Sequence, residues 1–294
     1  MQAARQAAGP QHYPAGCLYV VATPIGNLAD ITLRALHVLT LADAVACEDT
    51  RHTQQLLRAY GIDGKPLLAL HQHNEIEAAQ DVLTRLRQGQ RVAYVSDAGT
   101  PAISDPGARL AAACTAAGLR VAPLPGASSV TTALSAAGLA GDGHFVFAGF
   151  LPAKTSERQA AIGALAREPR AVVLLEAPHR IQRLADALAA LGQRTVTVGR
   201  ELTKQFEQIA TLPCAEWPAW LAADPQRQRG EFALVLHPAP AATAADDGER
   251  ALKLLLAELP LKTAVRLAAE LTGAPRNDLY QRALAWQTTL RQAE

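Results

Sequence analysis

The acids and cations of this 294-residue chain gather in short polar stretches that directly follow apolar runs. Glu48, Asp49 and Arg51 stand in "CEDTR", and Glu176, His179, Arg180 and Arg183 in "EAPHRIQRL". Arg200, Glu201, Lys204 and Glu207 stand in "GRELTKQFEQI", and Lys154 and Arg158 in "GFLPAKTSER". Glu48, Asp49 and Arg51 can form one polar cluster. The cations can form a rim for a phosphate backbone. Each stretch also has a purely local explanation. An acid at a helix start is stabilised by the helix dipole, and opposite charges four residues apart pair on a solvated helix face.

The stretch "YVSDAGTPAISDPG", 94–107, holds two glycines, two prolines and two aspartates at the end of an apolar run. It carries neither lysine nor a GK[ST] sequence, so nothing in it neutralises a triphosphate. Small residues instead let a ligand approach the backbone closely enough for N–H and C=O groups to read it. Asp97 can accept from a ribose or an amino group of such a ligand, or else Asp97 and Asp105 cap local turns. "TPIGNLADIT" follows the first apolar run and has one glycine where a dinucleotide fold needs GxGxxG. A nicotinamide site is therefore not expected, and Asn27 or Asp30 is expected to cap the following helix. "HQHNE" brings His71, His73 and Glu75 close in sequence, but the spacing lacks a further ligand, so no metal is expected.

Strands must position these stretches. Strand stretches at 17–23, 44–48, 66–70, 91–99 and 120–126 alternate with helical periodicity, the first helix being expected over 28–42. That rhythm predicts an α/β domain with a largely parallel sheet. A second α/β rhythm follows, with strands in "HFVFAGF", "AVVLLEA", "TVTVGREL" and "EFALVLH" and helices near 157–167 and 179–191. The expected organisation is a disordered leader 1–16, an N-terminal α/β domain 17–125, a C-terminal α/β domain 126–238, a linker 239–248 and a helical module 249–294. In that module "LKTAVRLAAELTGAPRNDLYQRALAW" reads as helix, turn, helix. A net charge of +1 gives no overall basic balance, although local patches set the field a partner meets. Four dispersed cysteines without a CxxC pair suit a reduced compartment. With no apolar run long enough for a membrane span and no secretory h-region, a cytoplasmic protein is expected.

"TPIGNLADITLRAL", "EDTR", "HNE", "SDAGTPAISDPG", "PGASSVTTAL", "GFLPAK", "EAPHR" and "RELTKQFE" occur in one order. In that order the chain resembles the bacterial ribosomal RNA small-subunit methyltransferase I family of the tetrapyrrole methylase-like superfamily. The match runs from about residue 18 to 237, and 262–280 resembles the family's C-terminal module. The resemblance implies two α/β domains with a cofactor cleft between them, and a homodimer. It implies transfer of a methyl group from S-adenosylmethionine to the ribose 2′-hydroxyl of a cytidine in the decoding region of 16S rRNA, within the small ribosomal subunit. Asp97, Ala98, Gly99, Ile103, Ser128 and Ser129 fall where the family holds the cofactor, with Leu175 and Ala233 as carry-overs from the second domain. Glu48, Asp49 and Glu176 are the candidate proton acceptors. Arg51, His179, Arg180, Arg200 and Lys204 are the candidate RNA contacts. Gln208 stands where many relatives have a second glutamate. A small-molecule methylase acting on a tetrapyrrole-like acceptor and a non-catalytic RNA-binding assembly protein are the alternatives.

Overall fold

Five strands of the first half are short and mostly apolar, and the central ones are buried on both faces, as a sheet covered on two sides requires. The structure, a computed structural model, describes residues 1–71, 75–103, 107–139, 142–239 and 244–292, with backbone only at 244–246 and 287–292. The first ten elements are α1 (Gln2–Ala8), β1 (Cys17–Val21), α2 (Leu33–Leu41), β2 (Ala44–Cys47), α3 (Thr50–Ala59), β3 (Leu67–Ala69), α4 (Glu75–Arg87), β4 (Val92–Val95), α5 (Gly107–Ala116) and β5 (Arg120–Leu124). The strands form one parallel sheet in the order β3-β2-β4-β1-β5.

The period of two along each strand sorts its side chains between two cores. Tyr19, Val21, Val45 and Val95 pack with Leu36 and Leu39 of α2 and Leu57 of α3. Leu18, Ala46, Val92 and Tyr94 pack with Val82 and Leu86 of α4 and Leu110 of α5. At the start of α5 a Cβ added to Gly107 would lie 2.0 Å from Tyr94 Cε1. Tyr94 is fully buried and cannot step aside. Gly107→Ala is therefore expected to destabilise by about 2 kcal/mol through overpacking, lowering the melting temperature by roughly 4–8 °C. A thermal scan of the variant checks this.

Two expectations for this half need correction. The leader is not without structure: α1 buries Ala4 in the core beside α2, and the Tyr13 hydroxyl donates to the Ala8 carbonyl at 3.1 Å. The helix expected over 28–42 is broken. A 3₁₀ turn at Leu28–Asp30 accepts the Ala29 amide on Asn27 Oδ1, and α2 begins only after Thr32, whose Oγ1 accepts the Ala35 amide at 3.0 Å. Thr32 is extended and can cap, whereas Asp30 lies inside the turn.

The second half contains α6 (Ser129–Ala136), β6 (Phe145–Gly149), α7 (Thr155–Leu165), β7 (Ala171–Glu176), α8 (Ile181–Leu188), β8 (Thr195–Arg200), β9 (Gln208–Pro213), α9 (Trp217–Ala222) and β10 (Phe232–Leu236). Its sheet is mixed, in the order β6-β7-β10-β8-β9. β6 runs parallel to β7, while β10 is antiparallel to both its neighbours and β9 antiparallel to β8. All five residues of β10 are buried, as its central place demands. "GRELTKQFEQI" does not start a helix: its residues 201–207 form a tight turn that hands the chain to edge strand β9. The charges of the turn hide β9 from a helical reading, and its half-exposed residues show little contrast between faces.

The chain divides into two compact units, Met1–Ile162 with Arg170–His237, and Gly163–Pro169 with Pro238–Glu294. The first contains both sheets. The second contains α10 (Ala244–Leu256), α11 (Leu261–Thr272) and α12 (Arg276–Gln292), packed around Leu252, Val265, Ala268 and Leu279. Gly273, left-handed at φ 71°, ends α11 and sets the turn into α12. The expected linker is shorter than 239–248, because α10 starts at Ala244; residues 240–243 lie outside the described ones. Gly248 sits inside that helix because a Cβ there would come within 2.4 Å of Ala274 Cβ. Among the described residues no helix is long and apolar enough to cross a membrane. All four cysteine thiols are free and buried.

Candidate active site

Ligands of parallel α/β sheets collect beyond the carboxyl ends of the strands. In the first sheet those ends carry the sequence stretches of interest: Pro24–Gly26 after β1, Glu48 after β2, Asp97–Thr100 after β4 and Gly126–Ser128 after β5. The loops are tied to one another. Thr23 and Gly99 exchange backbone hydrogen bonds of 2.9 and 3.1 Å, and Thr23 Oγ1 donates to the Ser96 carbonyl. The Thr100 hydroxyl donates to the Ala127 carbonyl at 3.0 Å, and the Asp49 amide donates to Asp97 Oδ1 at 3.3 Å. Gly99 has φ 80° and only 3.1 Å between its Cβ position and Ile25 Cγ2, so the loop needs glycine here. Gly126 is equally constrained, its Cβ position lying 2.7 Å from Ala22 Cβ.

Two adjoining cavities of about 290 Å³ each open against these loops. The more polar one takes in Glu48, Asp97, Ala98, Gly99, Ile103, Ser128 and Ser129, with Thr100. The more apolar one reaches the second sheet at Glu176, Phe232 and Ala233 and is walled by Ile25 and Leu202. Ala98, Ser129, Phe150, Leu175 and Glu231 line both, so they form one cleft. All eight residues expected at a cofactor thus border it. Ser104 and Asp105 of the same loop lie outside the described residues, as does His73 of "HQHNE". Among the described residues no group of three His, Cys, Asp or Glu side chains could hold a metal ion.

The three candidate proton acceptors have different surroundings. Glu48 lines the polar cavity. Asp49 caps α3, accepting from the Arg51 and His52 amides at 2.8 and 3.4 Å and pairing with the Arg51 guanidinium at 3.2 Å. The side-chain hydrogen bond from Arg51, reinforced by those amides, holds its carboxyl below the usual value, which weakens it as a base. Glu176 is fully buried, pairs with Arg180 at 3.0 Å and accepts the Ala177 amide at 2.9 Å. Its Oε2 is buried without a hydrogen-bond partner among the described residues.

The candidate RNA cations divide as sharply. Arg51 and His179 are exposed. Arg180 is committed to Glu176 and to the Leu151 carbonyl. Arg200 is buried, donating from Nε to the Arg229 carbonyl at 2.7 Å and from a terminal nitrogen to the Phe206 carbonyl at 3.2 Å, so it braces the 201–207 turn. Lys204 pairs with Glu201 at 2.7 Å and Glu231 at 3.0 Å. Burial works against both partners, but the Glu201–Lys204 hydrogen bond and the added bonds to the Glu231 side chain and amide outweigh it, depressing the Glu201 carboxyl and raising the Lys204 ammonium. A depressed acid stabilises fully above its ordinary 4.5 and loses that contribution as pH falls through the folded value; a raised base stabilises fully below its ordinary 10.5 and loses it as pH rises through the folded value. The cluster is therefore expected to hold from about pH 4.5 to 10.5. A Glu201→Gln variant should lose stability relative to the parent at pH 7, and the gap should narrow in acid.

Phe150 and Glu231 line both cavities without having been singled out from the sequence. A signal existed: "GFLPAK" places an aromatic just beyond a strand end, and Phe150 is 52% exposed there. Glu231 gave none, being one acid before an apolar strand.

A family model described as tetrapyrrole (corrin/porphyrin) methylases matches residues 17–218, and one described as the RsmI C-terminal HTH domain matches 242–287. A ribosomal RNA small subunit methyltransferase I of Escherichia coli O157:H7 is 50% identical over 276 residues, covering 92% of this chain and 96% of the relative. The protein of that name from Pseudomonas aeruginosa is 49% identical, covering 93% and 98%. Among solved structures, a cobalt precorrin-4 methyltransferase matches with TM-score 0.57 at 20% identity, over 76% of this chain and 98% of that one. A diphthine synthase matches with TM-score 0.59 at 16% identity, over 77% and 90%. A Thermus thermophilus uroporphyrin-III C-methyltransferase complexed with S-adenosyl homocysteine matches at 0.51 and 18%, over 74% and 96%. These structures share the fold. With two sheets joined by one loop-lined cleft and relatives near half-identity over almost its whole length, the chain belongs to the tetrapyrrole methylase family and, within it, to the ribosomal RNA small subunit methyltransferase I family.

Proposed function

We propose that this protein transfers a methyl group from S-adenosylmethionine to the ribose 2′-hydroxyl of a cytidine in the decoding region of 16S rRNA, acting on the small ribosomal subunit as a homodimer. The observation that carries the reading is the single cleft bordered by all eight expected cofactor residues, in a chain half-identical to enzymes named for this substrate class. The cleft also suits the group chemically. The Asp97–Thr100 loop exposes backbone at a glycine, and the apolar half offers Ile25, Leu202 and Phe232 to a flat ring. Glu176 Oε2, buried and without a hydrogen-bond partner among the described residues, can accept from an amino or hydroxyl group there.

The bound sulfonium would supply an electrophilic methyl. The chain's own part is to place the acceptor oxygen in line with it and to exclude water. Glu48, at the polar end of the cleft, is the residue proposed to accept the hydroxyl proton. Asp49 serves as a helix cap, and Glu176 is assigned to holding the cofactor. Arg51 and His179 carry the proposed RNA contact. The remaining three cations are structural.

The test is transfer of labelled methyl from S-adenosylmethionine to small subunits from a strain lacking this gene, with the modified nucleotide mapped. Label on one cytidine ribose is the expected result. No label on subunits or free RNA, from folded protein, would overturn the reading and direct attention to small-molecule acceptors. Sedimentation of the purified chain tests the dimer.

A further inference from the structure

Between β8 and β9 the chain makes a turn that is costly to form. Glu201 and Thr203, neither of them glycine, have φ values of 52° and 67°. Such backbone persists only where its surroundings over-determine it, and it concentrates at functional sites. Here the constraint is visible. The Glu201 amide donates to the Glu231 carbonyl and Glu201 Oε1 accepts the Glu231 amide, both at 2.9 Å. The Thr203 amide donates to Glu207 Oε2 at 2.6 Å. Gly230, at φ 89°, leaves its Cβ position 2.4 Å from Glu201 Cγ, so no larger residue fits beside the turn.

Lys204 leaves this turn and crosses to the other half of the cleft. Its stem lies on the backbone of Gly26, where an added Cβ would come 2.3 Å from Lys204 Cγ and 2.9 Å from Cε. The ammonium then returns to Glu201 and Glu231. The residues next to the two anchor points, Ile25 and Leu202, pack in one apolar cluster and together wall the cleft.

From this arrangement we infer that Lys204 is a positioning residue: it clasps the loop after β1 against the 201–207 turn and thereby holds the Ile25–Leu202 wall at the spacing that the methyl donor requires. Gly26 is glycine because the clasp lies directly on it. The ammonium acts through its two carboxylates and touches neither reacting atom. The inference rests on the proposed occupation of the cleft by S-adenosylmethionine.

Two measurements on the full chain separate the clasp from that reading. The first needs no donor. Lys204→Met keeps most of the stem and removes the charge, and amide hydrogen exchange at 25–28 and 201–207 is expected to accelerate at least tenfold in it. Unchanged exchange there overturns the clasp whatever the cleft binds. The second is the kinetics of methyl transfer. Lys204→Met and Gly26→Ala are each expected to raise KM for S-adenosylmethionine about tenfold, with kcat at saturating donor within twofold. The two positions are also coupled. In a Lys204→Ala background Gly26→Ala no longer meets the lysine stem, which supplies its three nearest contacts, so it should change KM by less than twofold. Unchanged KM in Lys204→Met, or independent multiplication of the two effects, overturns the positioning role. A wild type that binds no S-adenosylmethionine overturns the reading of the cleft and with it this role, while the exchange data still decide whether the clasp exists.

Discussion

Glu176→Ala is expected to lower the free energy of unfolding by about 3 kcal/mol, the usual cost of breaking a buried ion pair from one side. The glutamate side chain is fully buried, and the substitution strands Arg180, whose side chain is only 22% exposed. The Ala177 amide loses its acceptor as well. Glu176→Gln, which keeps an acceptor oxygen, should lose less. Urea denaturation of the three proteins measures the difference. A loss under 1 kcal/mol for the alanine variant would mean that the pair contributes little and that the carboxylate is held there for its ligand alone.

Gly99→Val is expected to remove most binding of S-adenosylmethionine, by a factor of about 100, or about 2.7 kcal/mol. At φ 80° a β-branched residue is strained, and the first added carbon already meets Ile25 at 3.1 Å. Relief requires the loop to move, which breaks the paired Thr23–Gly99 hydrogen bonds holding two cleft loops together. Gly118→Val provides the control. That residue is equally left-handed, with nothing near its Cβ position, so the variant should lose stability and keep its affinity. Titration calorimetry distinguishes the two, and equal affinity losses would show that the effect is general backbone strain.

The first sheet was legible because its strands are short, apolar runs separated by helices with clear stops, and parallel βαβ units write that rhythm directly. The loops were legible for a related reason: glycine is required where Gly99 and Gly126 stand, so the sequence records close backbone approach. Side-chain pairing was not legible. Arg200 and Lys204 read as RNA contacts because charge is visible in a sequence, whereas the Arg229 carbonyl that holds the first lies 29 positions downstream and is not. Glu231, which binds Lys204 and lines the cleft, lies 27 positions downstream. β9 was missed because an edge strand needs neither a continuous apolar run nor strict alternation. Asp49 and Glu176 carried the right chemistry for a base, and only their hydrogen bonds reveal that one caps a helix and the other closes a buried pair.

The methyl donor is assigned to the cleft between the two sheets. Calorimetric titration of the wild-type chain with S-adenosylhomocysteine checks that assignment. One site per chain is expected, with affinity reduced about 100-fold by Gly99→Val, or about 2.7 kcal/mol. Saturable binding that Gly99→Val leaves unchanged, or no binding by the folded wild type, would contradict it.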